Sequence, residues 1–323
     1  MHKHHNVSQS SQLFFIKGGF TMKSGIKHPY GLCPASMTCW NADQTYNPKA
    51  EEKYLTWLLD NGATSISICG STGENIATNL EEERQIVDHV SSFLAGQVPL
   101  VVGTCRYDTY NTIKMAQYAQ ERGADCIMSI LPFYLHPHKK AVMQHFRDIH
   151  AAIDVDLLIY NNPWFAGYEM TTAEIKELND EGTIQCIKAA HGDVNRVIEE
   201  KYACGDNLTV FYGHDYAAGA AILAGADGWL SGFPAILPKQ CRAIYDAAKA
   251  KDVDAVNKAQ ANIQPFIQYF FYDKKDEVPH WQEICKYTLQ AQGLADVGLP
   301  RKPLGELDAE NKKKIEKLLA DMD

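Results

Sequence analysis

The chain has 323 residues, of which 46% are hydrophobic and 22% are charged, and its formal net charge at pH 7 is -9. This composition is typical of a globular protein with a large core, and the acidic balance argues against nucleic acid or an anionic membrane surface as a partner. No run of about 18 apolar residues occurs, so we expect no membrane span.

Residues 1–26 form an unusual leader, with histidines at positions 2, 4 and 5. We interpret this leader as a disordered or irregular segment, and a metal-binding histidine tract is the alternative. Its apolar stretch "LFFI" is too short for the hydrophobic region of a signal peptide.

Short apolar runs of strand length alternate with longer amphipathic stretches along residues 27–250. The predicted strands are Gly31–Pro34, Ser65–Cys69, Leu100–Gly103, Cys126–Leu131, Leu157–Tyr160, Gln185–Ala189, Thr209–Gly213 and Gly228–Ser231. The predicted helices are Lys49–Asp60, Leu80–Phe93, Thr112–Arg122, Lys139–Ala152, Thr172–Asn179, Asp193–Tyr202, Tyr216–Leu223 and Leu237–Lys249.

The connections between these segments repeat one pattern, in which Gly-Ala stands between a helix and the next strand, as in "DNGATS", "ERGADC" and "LAGADG". A glycine there ends the helix in the left-handed conformation, and strands that are apolar throughout suit a parallel sheet covered on both faces. Eight such βα units over about 220 residues predict an α/β fold, the (β/α)8 TIM barrel. A doubly wound open sheet is the competing fold, although neither GxGxxG nor GxxxxGK[ST] occurs.

Residues 251–323 have a different pattern, which is helical to about Gln292. The stretch "VGLPRKPLGELD" follows, and a last charged helix is predicted over Glu310–Leu319. We therefore expect a helical C-terminal extension on the barrel.

The nine cysteines are an odd number and include no CxxC pair. Cys69, Cys126 and Cys186 stand in apolar, strand-like runs. Because buried free thiols persist in a reducing compartment, we expect a cytoplasmic protein without a disulfide framework.

Reactive groups of a barrel lie at the carboxyl ends of its strands. In chain order the candidates there are Ser71, Thr72, Glu74, Tyr134, Tyr160, Lys188, His214 and Asp215.

Lys188 stands inside the apolar run "TIQCIKAAHGD". Burial disfavours the ammonium form, and a neutral amine attacks a ketone carbonyl to form a Schiff base. The alternatives are a buried lysine paired with a carboxylate and a strand-end lysine that reaches solvent.

Tyr160 ends the preceding strand. Because neighbouring strands lie about 4.8 Å apart, we expect the two side chains to share a pocket. The phenol would move protons there or hold an acceptor oxygen. A core tyrosine with a satisfied hydroxyl is the alternative for Tyr160.

The loop "GSTGEN" (Gly70–Asn75) follows one predicted strand and precedes a helix. Its backbone N–H groups and hydroxyls suit a carboxylate or a phosphate, although Ser-Thr-Gly also forms ordinary turns.

Together these segments resemble the dihydrodipicolinate synthase / N-acetylneuraminate lyase family of class I aldolases. The resemblance is carried by "GSTGEN", "LPFY" (Leu131–Tyr134), "YNNP" (Tyr160–Pro163), "IKAAHGD" (Ile187–Asp193) and "FYGHD" (Phe211–Asp215). Their order and spacing match along most of the chain, from about Tyr30 to Leu304.

The resemblance implies that Lys188 forms a Schiff base with a 2-oxo acid, usually pyruvate, and that Tyr160 is the proton shuttle. Ser71 and Thr72, with Gly70 in the same loop, would bind the carboxylate and hydrogen-bond Tyr160. No metal or other cofactor is implied, because the iminium itself is the electrophile.

Further roles come from the same resemblance. Tyr134 matches a tyrosine that family members insert across a subunit interface, so a homo-oligomer, either a dimer or a tetramer, is implied. The backbone around Gly213 and Leu230 would line the pocket.

Several positions depart from the synthase pattern. The synthase carries an arginine, which binds the aldehyde's carboxylate, where this chain has Phe165; Ala189 follows the lysine where glutamate is frequent, and "TCW" (Thr38–Trp40) replaces "TPF". Trp164, Phe165 and Trp229 either line an apolar acceptor pocket or pack under loops and at a subunit contact.

The second substrate is therefore left open between aspartate semialdehyde, a less polar aldehyde of a hydratase-aldolase, and a sugar acid of a lyase or dehydratase with His214, Asp215 and Asn162 as hydroxyl partners. His214 is alternatively a structural histidine. Rival classes are a non-catalytic relative that binds an oxo acid and a metal-dependent aldolase, which the missing metal-spaced cluster disfavours.

Overall fold

The computed structural model describes residues 28–272 and 279–322. Eight parallel strands form one sheet in the order β1-β8-β7-β6-β5-β4-β3-β2, and a parallel bridge from Ala35 to Ser67 joins the two ends. Helices alternate with the strands, so the predicted (β/α)8 TIM barrel is confirmed.

The element bounds follow the predicted segments closely. The strands are β1 (Gly31–Pro34), β2 (Ile66–Ile68), β3 (Leu100–Gly103), β4 (Cys126–Ile130), β5 (Asp156–Asn161), β6 (Cys186–Ala189), β7 (Thr209–Tyr212) and β8 (Gly228–Ser231). The helices are α1 (Pro48–Asp60), α2 (Leu80–Leu94), α3 (Thr109–Glu121), α4 (Lys139–Ala151), α5 (Pro163–Ala166), α6 (Thr172–Asp180), α7 (Val194–Cys204), α8 (Ala218–Leu223), α9 (Phe233–Ile236), α10 (Pro238–Lys249), α11 (Val253–Ile267), α12 (Trp281–Ala291) and α13 (Ala309–Ala320).

Most bounds lie within two residues of the predicted ones, and the larger differences concern two helix starts. α3 begins at Thr109 because the Asp108 carboxylate accepts the Asn111 N–H at 2.8 Å and caps the first turn. The short helix α5, which the pattern does not predict, starts on an Asn162-Pro163 cap.

Alternate side chains of the strands fill the barrel interior. The inner set includes Val101, Met128, Leu158, Phe211 and Leu230, all buried in one cluster. The other strand positions pack beneath the surrounding helices in the larger cluster, which is the arrangement that sheets covered on both faces require.

The C-terminal extension begins with α11, which packs on α8 and α10. α12 packs on α9, and α13 packs on α11 and α12. This helical extension occupies the described part of residues 251–323, and the leader predicted over residues 1–26 lies outside the described residues.

The cysteines and the hydropathy of the helices are two further features of the described chain. All nine cysteines are buried free thiols. Within residues 28–272 and 279–322, no helix combines the length and apolar character needed to cross a bilayer.

Candidate active site

Lys188 and Tyr160 lie side by side at the carboxyl ends of β6 and β5. The two residues are paired in the parallel register of these strands, and the Lys188 Nζ lies 4.0 Å from the centre of the Tyr160 ring. Only 5% of Lys188 and 4% of Tyr160 is exposed. The structure therefore brings the amine and the phenol into one buried pocket, as their strand positions predict.

The lysine has no ion pair among the described residues. The nearby Asp215 carboxyl instead accepts hydrogen bonds from Trp229 Nε1 at 3.1 Å, Ser231 Oγ at 2.9 Å and the Phe233 N–H at 3.3 Å. Burial raises the pKa of Asp215 to about 6, against the lowering effect of these bonds and of Lys188. Of the alternatives for Lys188, neither the carboxylate pair nor the solvent-reaching lysine describes this geometry.

Gly213 makes room for the lysine stem. A Cβ at Gly213 would lie 2.7 Å from Lys188 Cγ and 3.0 Å from Ala190 Cα. A larger residue there would displace Lys188, so the glycine after β7 is required by this close approach.

Asn162 orients the Tyr160 hydroxyl. Its Nδ2 donates to the Tyr160 oxygen at 2.8 Å, while its Oδ1 caps α5 by accepting the N–H groups of Trp164 and Phe165. Since the phenolic oxygen accepts from Asn162, its own proton remains available to another acceptor. The bond that the resemblance implies between Tyr160 and Ser71 or Thr72 is absent from the described residues, and Asn162 supplies the partner instead.

The loop Gly70–Asn75 follows β2 at the same end of the barrel. Gly73 is wedged against its surroundings, since a Cβ there would lie 3.2 Å from both Ser36 O and Thr38 Oγ1, and the Thr38 hydroxyl donates to Gly73 O at 2.7 Å. The loop therefore presents Ser71, which is partly exposed, and Thr72 from a fixed backbone.

Gly70 lies against the floor of the site, where a Cβ would come 3.1 Å from Met128 Cε. Leu230 is fully buried among the inner side chains of the barrel. Gly70 follows β2 and Leu230 lies near the end of β8, which are the strand positions that the sequence predicts for them.

His214 is held by backbone and aromatic contacts. Its Nδ1 accepts the Asp215 N–H at 2.9 Å, and its ring centre lies 4.1 Å from that of Tyr216 and 4.7 Å from that of Phe271. Burial, reinforced by the electrostatic effects of the nearby Lys188 and His191 side chains, lowers the pKa of His214 to about 4. The imidazole is thus uncharged at neutral pH.

Trp229 packs in the core between the sheet and the helices and does not line the pocket. It is fully buried in the outer core, and its indole N–H donates to His214 O at 2.9 Å.

Three large aromatic side chains lie exposed around the strand ends. Phe165 is 48% exposed, Trp164 72% and Tyr134 83%, and Tyr134 also has a positive φ of 68°. The three side chains are therefore accessible to a ligand or to a neighbouring subunit.

Sequence reasoning missed the groups behind the loop. These groups are Gln282 and Lys286, two buried side chains of α12. No local pattern could have found them, because more than 200 residues separate Gln282 from its partner Ser71.

No group of three or more His, Cys, Asp or Glu side chains within the described ranges is arranged to hold a metal ion.

Comparison with known proteins extends these observations. Residues 28–322 match the model of the dihydrodipicolinate synthetase family. The 4-hydroxy-tetrahydrodipicolinate synthase of Shewanella pealeana is 28% identical over 281 residues, which cover 87% of this chain and 94% of that protein.

Solved structures of proteins with related sequences have the same fold. A putative dihydrodipicolinate synthetase from Pseudomonas aeruginosa superposes with a TM-score of 0.85 at 26% identity, covering 92% of this chain and 100% of that chain. The chloride-inhibited dihydrodipicolinate synthase from Acinetobacter baumannii, solved with pyruvate, gives a TM-score of 0.84 at 27% identity, covering 91% and 99%. The chain therefore belongs to the dihydrodipicolinate synthetase family, whose members are carbon–carbon lyases of the aldolase class.

Proposed function

We propose that this chain is a class I aldolase in which Lys188 forms a Schiff base with a 2-oxo acid, with pyruvate as the first candidate. The observation that carries the proposal is the buried Lys188 amine, which lies over the Tyr160 ring and has no carboxylate partner among the described residues. A nucleophilic amine in such a pocket has no use in a protein that only binds an oxo acid.

The reaction begins when the neutral amine attacks the keto carbon, and the carbinolamine takes up one proton and loses water, giving a protonated imine. Loss of a proton from the adjacent carbon produces an enamine, because the iminium nitrogen accepts the electron pair. The enamine carbon then attacks an aldehyde, whose oxygen takes up a proton, and water releases the product from Lys188. The reverse sequence cleaves the same bond.

The neighbouring groups support distinct steps. Tyr160, with its oxygen held by Asn162, is suited to move protons to and from the reacting carbon and oxygen atoms. The hydroxyls and N–H groups of Ser71 and Thr72, with Gly70, would bind the oxo acid's carboxylate. Gly213 and Leu230 would line the pocket around the imine.

The acceptor side is apolar. Phe165 offers no guanidinium for an acidic aldehyde, and the neutral His214 lies among aromatic rings. We therefore favour an acceptor less polar than aspartate semialdehyde, as in a hydratase-aldolase. A sugar-acid lyase or dehydratase is the second candidate, in which His214 and Asn162 would be the partners of the sugar hydroxyls.

A homo-oligomer, dimer or tetramer, is part of the proposal because Tyr134 is 83% exposed in the single chain. Such a tyrosine can complete a neighbouring subunit's proton relay. The nine free thiols support a reducing compartment, which for this protein we take to be the cytoplasm.

The test is reductive trapping. The protein is incubated with pyruvate and borohydride, and its mass and modified residue are determined. We expect one reduced adduct on Lys188, none in Lys188→Met, and normal labelling in the control Lys201→Met, whose lysine pairs with Asp227 on the barrel surface.

Other outcomes identify the rivals. Pyruvate binding without an adduct or turnover would favour a binding protein, and turnover that a chelator abolishes would favour a metal-dependent aldolase. A screen of aspartate semialdehyde, sugar-derived and aromatic aldehydes then identifies the acceptor; efficient use of the semialdehyde would contradict the preference drawn from Phe165.

A further inference from the structure

The loop that carries Ser71 and Thr72 is held from outside the barrel. Gln282, on α12 of the C-terminal extension, is 7% exposed, and its Nε2 donates to the carbonyl oxygen of Ser71 at 2.9 Å. The amide thus fixes the peptide that joins Ser71 to Thr72.

Glu74, in the same loop, shows that the loop's conformation is imposed. Its φ of 60° is in the left-handed region, which disfavours residues with a Cβ. Its carboxylate is buried and accepts the Trp40 indole N–H at 2.9 Å and the Arg301 backbone N–H at 2.7 Å. A buried carboxylate needs such partners, and Arg301 belongs to the C-terminal extension.

Lys286 lies one helical turn after Gln282. Its Nζ is buried and lies 3.8 Å from the Glu74 carboxylate, and it donates to Val297 O at 2.9 Å and to Thr38 O. The Thr38 hydroxyl in turn donates to Gly73 O. One ammonium group therefore ties the extension to the loops after β1 and β2.

We propose that Gln282 is a positioning residue for substrate, and that α12, through Gln282 and Lys286, holds Ser71 and Thr72 where they bind the 2-oxo acid's carboxylate. Gln282 does not itself touch the reacting atoms. The C-terminal extension would thus support the substrate site from outside the barrel. This inference rests on the proposed function, in which that loop binds the carboxylate.

The test exploits a matched pair of glutamines on α12. Gln290 also donates its Nε2 to a backbone oxygen, that of Gly298 at 3.0 Å, but Gly298 is not a residue of the loop. Gln282→Leu removes the donor to Ser71 and is expected to raise the KM for pyruvate about tenfold, with kcat changed less than threefold. Gln290→Leu is expected to leave the KM within twofold of wild type.

A second variant guards against misfolding. Gln282→Asn keeps the amide but withdraws it by one methylene, so it is expected to raise the KM as well. At saturating pyruvate, borohydride should still trap the full adduct in both Gln282 variants, because the amine is untouched.

The outcomes separate the two proposals. If wild type forms no imine, the proposed function fails and this inference falls with it. If wild type forms the imine but folded Gln282→Leu or Gln282→Asn keeps a wild-type KM, or the Gln290→Leu control raises it equally, only the positioning role is overturned.

Discussion

Lys188 approaches the face of Tyr160 rather than its hydroxyl, with Nζ 4.0 Å from the ring centre. The hydroxyl is turned to Asn162. A ring face stabilises a cation, so the arrangement suits the positively charged iminium that the proposed reaction forms, while the phenol keeps its proton for transfer.

Tyr160→Phe separates these two contributions. The ring remains, so reductive trapping on Lys188 should still occur, whereas turnover should fall by roughly 10²–10⁴-fold because the proton carrier is lost. Steady-state kinetics with trapping as a parallel assay measures this. The control Tyr54→Phe removes another buried hydroxyl, which bonds Ala235 O, and is expected to keep its turnover; wild-type turnover in Tyr160→Phe would exclude the shuttle role.

Phe165→Arg tests the acceptor preference. A guanidinium at this position is expected to raise kcat/KM for aspartate semialdehyde at least tenfold, because it pairs with the aldehyde's carboxylate. Trp164→Arg places the same charge on the neighbouring, more exposed residue of α5. This control should change kcat/KM for aspartate semialdehyde little. Equal effects in both variants would point to general charge attraction rather than to a specific contact.

Tyr134→Phe tests the shared site. The variant alone should lose turnover without losing stability, since the side chain is 83% exposed. Refolding it together with Lys188→Met subunits should restore part of the activity, because one of the two sites in a mixed pair combines the intact Lys188 of the Tyr134→Phe chain with the intact tyrosine of its neighbour. The control mixture of Tyr160→Phe and Lys188→Met should stay inactive, as both lesions affect one chain's own pocket; no recovery in the first mixture would refute the role in trans.

Lys286→Met probes the buried cation beneath the substrate loop. It leaves the Glu74 carboxylate and two carbonyl oxygens without the ammonium, and the free energy of unfolding should fall by about 3 kcal/mol. Urea unfolding measures the loss. Lys53→Met removes an exposed lysine 4.0 Å from Asp296 and should cost less than about 1 kcal/mol; a similar loss in both variants would contradict the structural role of Lys286.

Glu200 predicts a pH dependence of stability. It is fully buried on α7, with no hydrogen bond to either carboxyl oxygen in the described structure, and burial raises its pKa from 4.5 to about 8. Because the folded pKa exceeds the unfolded one, the folded state is favoured below pH 4.5 and loses stability as the pH rises towards 8.

Glu200→Gln replaces the titratable carboxyl with an amide that does not titrate. Between pH 5 and pH 8, the free energy of unfolding of the wild type should fall by roughly 3 kcal/mol more than that of the variant. Urea unfolding at both pH values measures this difference. Glu310→Gln, an exposed change on α13, should keep the wild-type slope. A Glu200→Gln slope equal to wild type would mean that the carboxyl finds a partner or solvent.

The sequence by itself determined the barrel and the ends of its strands. Apolar strand runs, helix periodicity and Gly-Ala turns are local signals, so they predict β6 with Lys188 and β5 with Tyr160 directly. The proximity of Lys188 to Tyr160 follows from these predictions, because neighbouring parallel strands of a barrel end at the same rim.

Only the tertiary structure decided which groups surround that rim. Asn162 rather than Ser71 or Thr72 bonds Tyr160, Trp229 turns into the outer core, and Gln282 reaches a loop that lies 211 residues earlier in the chain. These contacts depend on how side chains from distant segments fill shared space, and neither periodicity nor spacing encodes that packing.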